Sequence, residues 1–319
     1  MDRWRIILLV VGPAPIMAAS FGVSRWARSE PQAPPSGNHA VTVSAAKQNA
    51  TPRVAADKSL QAECRQRAES LRGKLGADCA IIQRPPFVLA GDMSEQQLVE
   101  WHERTVGPAA RAMAHAYFKT PPDHAVVVLL FSHEQSYNHY ADALYGDSGI
   151  SVYGYYKPQV RTLVMNIGTG GGTLVHEMTH ALMDFDFPAV PDWFNEGLAS
   201  MHEACHIRAD ETGLDGLTNW RLPGLQKAIN QGRLPSLEQL IAGDDFRGPQ
   251  MGLNYAQARY FCLYMQERGV LGEFFRQFRA NHATDKSGVK TVRAVFTDQS
   301  WSELDEAFQA WVLTLRHER

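Results

Sequence analysis

One short segment of the chain combines residue types and spacing that suit metal chemistry. His176-Glu177-Met178-Thr179-His180 has the pattern H-E-x-x-H. On an α-helix, residues four apart lie on the same face, so both imidazoles can bind one metal ion, while the glutamate between them reaches a water on that ion. Five letters also match by chance, and the alternative is a surface helix with two solvated histidines. The surroundings favour a buried helix, since a glycine-rich stretch precedes the motif and apolar residues flank it (Gly168, Gly170 to Gly172, Leu174, Val175, Ala181, Leu182).

A second segment, His202-Glu203-Ala204-Cys205-His206, matches the same pattern. A catalytic zinc site needs a third protein ligand and an open position for water. Glu196 follows the first motif at the start of another predicted helix, and two antiparallel helices can bring its carboxylate to the metal. The acidic residues after His206 lie in a predicted loop with no helix to position them (Asp210, Glu211, Asp215). We therefore predict one Zn²⁺ per chain at His176, His180 and Glu196, and interpret the second motif as the outer continuation of the Glu196 helix.

The first motif, followed by Trp193-x-x-Glu196-Gly197-x-Ala199, resembles the gluzincin metallopeptidases and more closely their peptidase MA-like bacterial branch. The resemblance covers roughly Phe87 to Phe278. It implies a zincin-like fold, hydrolysis of peptide bonds, zinc ligands at His176, His180 and Glu196, and Glu177 as general base. It also implies a downstream oxyanion donor, for which Tyr255 is the candidate; the alternative for Tyr255 is an ordinary core position. The separation between His180 and Glu196 is a little shorter than in thermolysin-like members, so a tight loop is expected.

Residues around the metal ligands are expected to orient them, because a ligating histidine usually donates its second ring N–H to a partner. Asp184 lies one turn past His180, where thermolysin-like enzymes also carry an acid. Asn195 directly precedes Glu196 and is placed to brace it. We predict both as outer-shell residues and favour Asp184 slightly; the alternative for each is a solvated polar side chain.

Tyrosines cluster on the strand predicted just before the metal-binding helix. Tyr153, Tyr155 and Tyr156 are the runner-up to Tyr255. Tyr153 and Tyr155 are also candidates for substrate binding, because an edge strand can pair with an extended peptide. The alternative is alternating packing within the sheet.

A small sheet and the helices around it must position these residues. The pattern predicts strands at Phe87–Leu89, Val126–Phe131, Val152–Tyr156 and Thr162–Ile167, with helices at Ser59–Leu75, Ser94–Tyr117 and Tyr137–Leu144. Almost everything after Trp193 is predicted helical. The fold class is therefore α+β: an N-terminal sheet with helices, about 85–168, packed against a mainly helical half, about 169–319.

The N-terminus has the layout of an export signal. Arg3 and Arg5 precede an apolar run, and small residues follow at Ala18-Ala19-Ser20. Segment 1–24 is predicted to be either a cleaved signal peptide or an uncleaved membrane anchor, and both place the chain outside the cytoplasm, in the periplasm or the medium. Segment 25–57, rich in Pro, Ala and Ser, is predicted to be a flexible tether, which leaves 58–319 as the metallopeptidase domain.

The composition limits the classes of binding partner that we expect. The net charge is only -3 over 319 residues, which gives no electrostatic case for nucleic acid. The expected partner is a peptide or protein substrate, with the N-terminal segment as a possible membrane tether. Four cysteines are too few for a disulfide scaffold; Cys64 with Cys79 and Cys205 with Cys262 are candidate pairs, and buried free thiols are the alternative. The competing function is a metal-containing, non-catalytic module that binds a peptide or an envelope protein.

Overall fold

The computed structural model describes residues 51–317 of the chain. Its architecture is mixed α+β, which confirms the predicted fold class. The predicted signal or anchor, 1–24, lies outside the described residues, as does 25–50 of the predicted tether. The first helix begins at Thr51, inside the segment predicted as tether and ahead of the predicted start at Ser59. Within residues 51–317, no helix has both the length and the apolar character needed to cross a membrane.

A five-stranded mixed sheet forms the centre of the N-terminal half. Its strands are β1 Ala80–Arg84, β2 Phe87–Gly91, β3 Val126–Phe131, β4 Gly154–Lys157 and β5 Thr162–Asn166. Their order across the sheet is β1-β2-β3-β5-β4. The inner strands β2, β3 and β5 are parallel, whereas β1 and β4 pair antiparallel at the two edges.

Strand β3 divides the core into two layers. All six of its residues are buried, as its unbroken apolar run predicts for a central parallel strand. Successive side chains of a strand point to opposite faces. Val126, Val128 and Leu130 accordingly join the large core cluster beneath the C-terminal helices, whereas alternate residues pack on the other face. The chain thus places most of its helices on one side of a single sheet.

The helices surround this sheet, and three of them begin with a serine whose side chain caps the first turn. Ser94 accepts a hydrogen bond from the Gln97 amide in a capping box, as do Ser236 and Ser300 at their own helices. The helix predicted from Ser94 to Tyr117 is divided by a π-helical turn at His102–Val106. The α-helices are, in chain order, α1 Thr51–Arg72, α2 Glu95–Trp101, α3 Gly107–Ala116, α4 Glu134–Tyr145, α5 Gly172–Asp186, α6 Asp192–His202, α7 Leu222–Asn230, α8 Leu237–Ala242, α9 Met251–Glu267, α10 Leu271–Asn281, α11 Val289–Val295 and α12 Trp301–Thr314.

Two short strands interrupt the predicted helical half. β6 Cys205–Ile207 and β7 Leu214–Gly216 form an antiparallel pair directly after α6. In the large core α6 packs against both α5 and α9, and these three helices carry the predicted metal-binding and catalytic residues. Close approach of α6 and α9 depends on Gly197, where an added Cβ would lie 2.9 Å from the Ala258 carbonyl oxygen.

Candidate metal centre

Three buried side chains from α5 and α6 converge on one point. His176 and His180 lie one turn apart on α5, and their Nε2 atoms are 3.1 Å apart. Oε2 of Glu196, on α6, is 3.6 Å from each of these nitrogens. In the part of the chain that the structure describes, this is the one group of His, Cys, Asp and Glu residues close enough to hold a metal ion. The structure therefore brings together the three residues predicted as ligands.

The spacing of these donor atoms fits a tetrahedral ion. A metal with bonds of about 2.0–2.2 Å to nitrogen and oxygen holds its ligand atoms about 3.3–3.6 Å apart, because a tetrahedron's edge is about 1.63 times the bond length. The observed separations of 3.1, 3.6 and 3.6 Å lie close to that range. Small side-chain movements would bring all three atoms into coordination.

Electrostatics couple the histidines to the carboxylate. Burial opposes a charge on His180, but the Glu196 carboxylate outweighs it and raises the pKa of His180 to about 9. Burial likewise opposes a charge on Glu196, yet the two histidines hold its pKa well below the ordinary value. The carboxylate therefore favours a proton on His180, and a bound metal ion would displace that proton.

Asn195 orients His180. Its Oδ1 lies 2.9 Å from Nδ1 of His180 and accepts the ring N–H, which leaves Nε2 directed towards Glu196 and His176. Asp184, the outer-shell residue favoured from the sequence, instead accepts a hydrogen bond from the Tyr156 hydroxyl at 3.1 Å. Asn195 was expected to brace Glu196 and contacts the histidine instead. Helix α6 therefore places Asn195, and not Asp184, within hydrogen-bond distance of the His180 ring. Asp184 lies near enough to His180 for their charges to interact.

Arg247 braces Glu196, and sequence reasoning missed it. Its Nη2 donates to Oε1 of Glu196 at 2.6 Å, and its Nε donates to Asp192 at 3.0 Å. The bond from Nη2 occupies Oε1 of Glu196 and leaves Oε2 for the metal side, while the bond to Asp192 holds the guanidinium in place. Arg247 lies in the loop between α8 and α9, far from Glu196 in sequence, and no local pattern marks it.

Glu177 and Tyr255 both lie beside this centre. Glu177 is 7 % exposed, and within residues 51–317 its carboxylate has no hydrogen bond or ion pair. The Tyr255 oxygen accepts a hydrogen bond of 2.8 Å from Nη1 of Arg247. Burial, with the nearby Glu196 charge, raises the pKa of Tyr255, so its phenol stays neutral. The predicted base therefore has an unengaged carboxylate, and the predicted oxyanion donor is tied to the arginine that braces Glu196.

The tyrosines near the edge strand β4 divide between the sheet's two faces. Tyr155 packs in the smaller cluster on the face away from α5, and its hydroxyl donates to Asp147 at 2.6 Å. Tyr156 packs on the α5 side. Tyr153 lies just before the strand, half-buried, with its carbonyl accepting from the Asn166 amide at 2.9 Å. The side chain of Tyr155 is thus directed away from the metal residues, and the alternation of the strand gives that position to Tyr156.

The second H-E-x-x-H segment does not form a helical face. Helix α6 ends at His202 and β6 begins at Cys205, so the interpretation of this segment as a continuing helix is wrong. His202 is fully buried, with its Nδ1 2.9 Å from the Thr179 hydroxyl, which itself donates to the Val175 carbonyl. Burial, followed by His176 and Arg259, lowers the pKa of His202 to about 3. His202 therefore supports α5 from behind as a neutral core residue.

The four cysteines are free thiols. Neither candidate pair is joined, and Cys205 lies on β6 and not on a helix. Cys262 is fully buried, and burial raises the pKa of its thiol above the ordinary value. The alternative of buried free thiols describes Cys64 and Cys262, whereas Cys79 and Cys205 are free but only partly buried.

Comparison with known proteins adds no assignment: no protein-family model matches the chain, and no curated protein matches it. The chemistry of the centre must therefore be argued from its own residues.

Proposed function

We propose that this protein is a zinc-dependent peptidase with its active site at His176, His180 and Glu196. The observation that carries this proposal is their spacing, which suits a tetrahedral ion, next to a buried glutamate without a partner. The donor set of two imidazoles and one carboxylate is one that zinc uses in catalytic sites, and it leaves a fourth position open. A bound zinc ion would supply a Lewis acid for a peptide carbonyl and would lower the pKa of water.

Glu177 has the position and freedom required of a general base. It follows His176 on α5, so its side chain leaves the helix about 100° away from that ligand. Having no competing hydrogen bond, its carboxylate takes a proton from the water that attacks the carbonyl carbon. It then passes this proton to the amide nitrogen as the C–N bond breaks. Glu177 thus moves one proton from water to nitrogen, and the remaining hydroxyl forms the C–O bond of the new carboxyl group as the C–N bond breaks.

Tyr255 is the proposed donor to the developing oxyanion. Arg247 donates to the Tyr255 oxygen, and the hydroxyl also interacts with the Glu196 carboxylate, so its hydrogen faces the metal-binding residues. A neutral phenol with a raised pKa keeps that hydrogen throughout the reaction. A peptide backbone laid along the exposed edge of β4 would lie beside α5 on the Tyr156 side.

Replacement of Glu177 by Gln tests the proposal against a metal-containing binding module. Glu177→Gln keeps the size of the side chain but cannot accept the proton. We expect hydrolysis of a peptide library to fall by at least about 100-fold, because general-base assistance contributes about 10²–10⁴-fold. Zinc content, measured by elemental analysis, should remain near that of the wild type, since none of the three ligands has changed.

Two histidine variants serve as matched controls. His176→Ala should lose both zinc and hydrolysis, whereas His206→Ala, at an exposed position in the second motif, should lose neither. If the wild type carries zinc, binds peptides and cleaves none of them, the binding module replaces the peptidase. If His206→Ala loses the zinc and His176→Ala retains it, the proposed centre is in the wrong place.

A further inference from the structure

A cavity lies on the opposite side of α5 from the metal centre. Its volume is about 560 Å³, within the range of about 300–1,000 Å³ usual for small-molecule sites. Its walls come from the β1–β2 turn, the π-helical turn, α3 and the segment 118–122. Leu182 supplies the α5 side, about 200° around the helix from His180 at about 100° per residue. This cavity is therefore separate from the proposed active site.

The walls are apolar and rigid. Two proline pairs, Pro85-Pro86 and Pro121-Pro122, are part of the lining, and the ring of each proline fixes its backbone φ. Phe87, Phe118 and Leu182 also line the cavity, with Ala110 and Ala114 of α3. Thr120 is the one uncharged polar side chain of the lining other than His102. A peptide backbone bound here would find few hydrogen-bond partners for its amide groups. An aliphatic chain has no hydrogen bonds to lose when it leaves water.

The rim is cationic. Arg84, Arg111 and Lys119 line the cavity, and none of its lining residues is acidic. Arg111 is paired with Glu211. Arg84 donates only to the neighbouring carbonyl of Gln83, and the Lys119 ammonium has no hydrogen bond or ion pair with any residue from 51 to 317. Two positive charges at this rim are thus uncompensated.

His102, a partly buried residue of the cavity wall, lies near these positive charges. Burial, followed by Arg84 and Arg111, lowers the pKa of His102. Its Nδ1 is buried without a hydrogen-bond partner. His102 also begins the π-helical turn, and such turns occur frequently at functional sites.

We propose that this proline-walled cavity binds a small amphipathic anion: an unbranched aliphatic carboxylate, with its tail among the prolines and its charge beside Arg84 and Lys119. The apolar walls select the tail, and the uncompensated cations select the sign of the head group. The inference does not depend on the peptidase proposal, because no residue of the metal centre contributes to the cavity.

Three ligands with the same eight-carbon tail distinguish the contribution of the tail to binding from that of the head-group charge. Octanoate, octan-1-ol and octylammonium would each be titrated calorimetrically into the full chain, below their micellar concentrations. We expect octanoate to bind about tenfold more tightly than octanol, as two partly solvated ion pairs allow, and octylammonium to bind most weakly. Equal affinity for the three, or no binding of octanoate, would overturn the proposal.

Variants of exposed residues locate the ligand without endangering the fold. The double variant Arg84→Gln/Lys119→Gln should lose the preference for octanoate over octanol and still bind octanol. Ala114→Trp, an exposed position on α3 that lines the cavity, should abolish binding of both. Lys227→Gln removes one exposed cation from α7 and should change nothing. Octanoate binding that survives Ala114→Trp, or that falls equally in Lys227→Gln, would place the ligand elsewhere and refute the assignment.

Discussion

Replacing Asn195 with alanine should weaken metal binding although Asn195 is not a ligand. Its side-chain oxygen accepts the Nδ1–H of His180 at 2.9 Å, which fixes the tautomer whose Nε2 lone pair can face a metal ion. Without this partner the ring can rotate, or carry its proton on Nε2, and both changes compete with coordination. Asn195→Ala leaves His176, His180 and Glu196 in place, so any loss of affinity reports on orientation.

The magnitude follows from what the hydrogen bond does in each state. Loss of an outer-shell partner costs about 10–100-fold in metal affinity, or about 1.4–2.8 kcal/mol. Without a metal ion, Glu196 raises the pKa of His180 and so favours the protonated ring, which also donates to Asn195. Asn195→Ala therefore removes this hydrogen bond from both the metal-free and the metal-bound protein, and part of its energy cancels in the affinity. We expect the metal affinity to fall near the lower end of this range, by about tenfold.

Competition with a fluorescent zinc chelator at neutral pH measures this change. Asp184→Ala is the matched control. Asp184 lies on α5, the helix of His180, but its carboxylate accepts a hydrogen bond from Tyr156 and not from a ligand ring. Asn195→Asp restores an acceptor and should recover the affinity lost in Asn195→Ala. The reasoning is refuted if Asp184→Ala weakens zinc binding as much as Asn195→Ala, or if Asn195→Ala has no effect.

Two further predictions concern stability. The pKa of His202 is about 3 in the folded protein against 6.5 when unfolded, so the unfolded state binds its proton first and the free energy of unfolding falls as pH drops below 6.5. Between about pH 7.5 and about pH 5, chelator-treated wild type should lose about 2 kcal/mol more than His202→Gln in urea titrations, and parallel losses would contradict the assignment. Gly197→Ala should destabilise by about 1–3 kcal/mol, because its Cβ would approach Ala258 on α9, although alanine is the better helix former. Gly224→Ala, on α7 with open space around it, should be neutral or stabilising in the same titration, and equal destabilisation of both would show that packing is not the cause.

Patterns that act over a few residues could be predicted from the sequence alone. The strand Val126–Phe131 follows from an unbroken apolar run, and the capping box at Ser94 follows from a side chain and the amide three residues on. The pairing of His176 with His180 is of the same kind, because four residues on a helix make slightly more than one turn. The position of Glu196 beside the two histidines also agrees with the sequence pattern, because the short loop between α5 and α6 keeps the start of α6 close to α5.

Contacts between distant segments were decided only by the tertiary structure. Whether Asn195 or Asp184 orients His180 depends on how α6 is rotated against α5, which no local pattern encodes. Arg247 reaches Glu196 from a loop more than one helix away. The second H-E-x-x-H segment has the same letters as the first, yet packing ends its helix at His202 and turns the chain into a strand. Sequence determined which side chains can share a helical turn, and long-range packing determined which of them meet, because helix rotation and helix ends are set by burial against partners far along the chain.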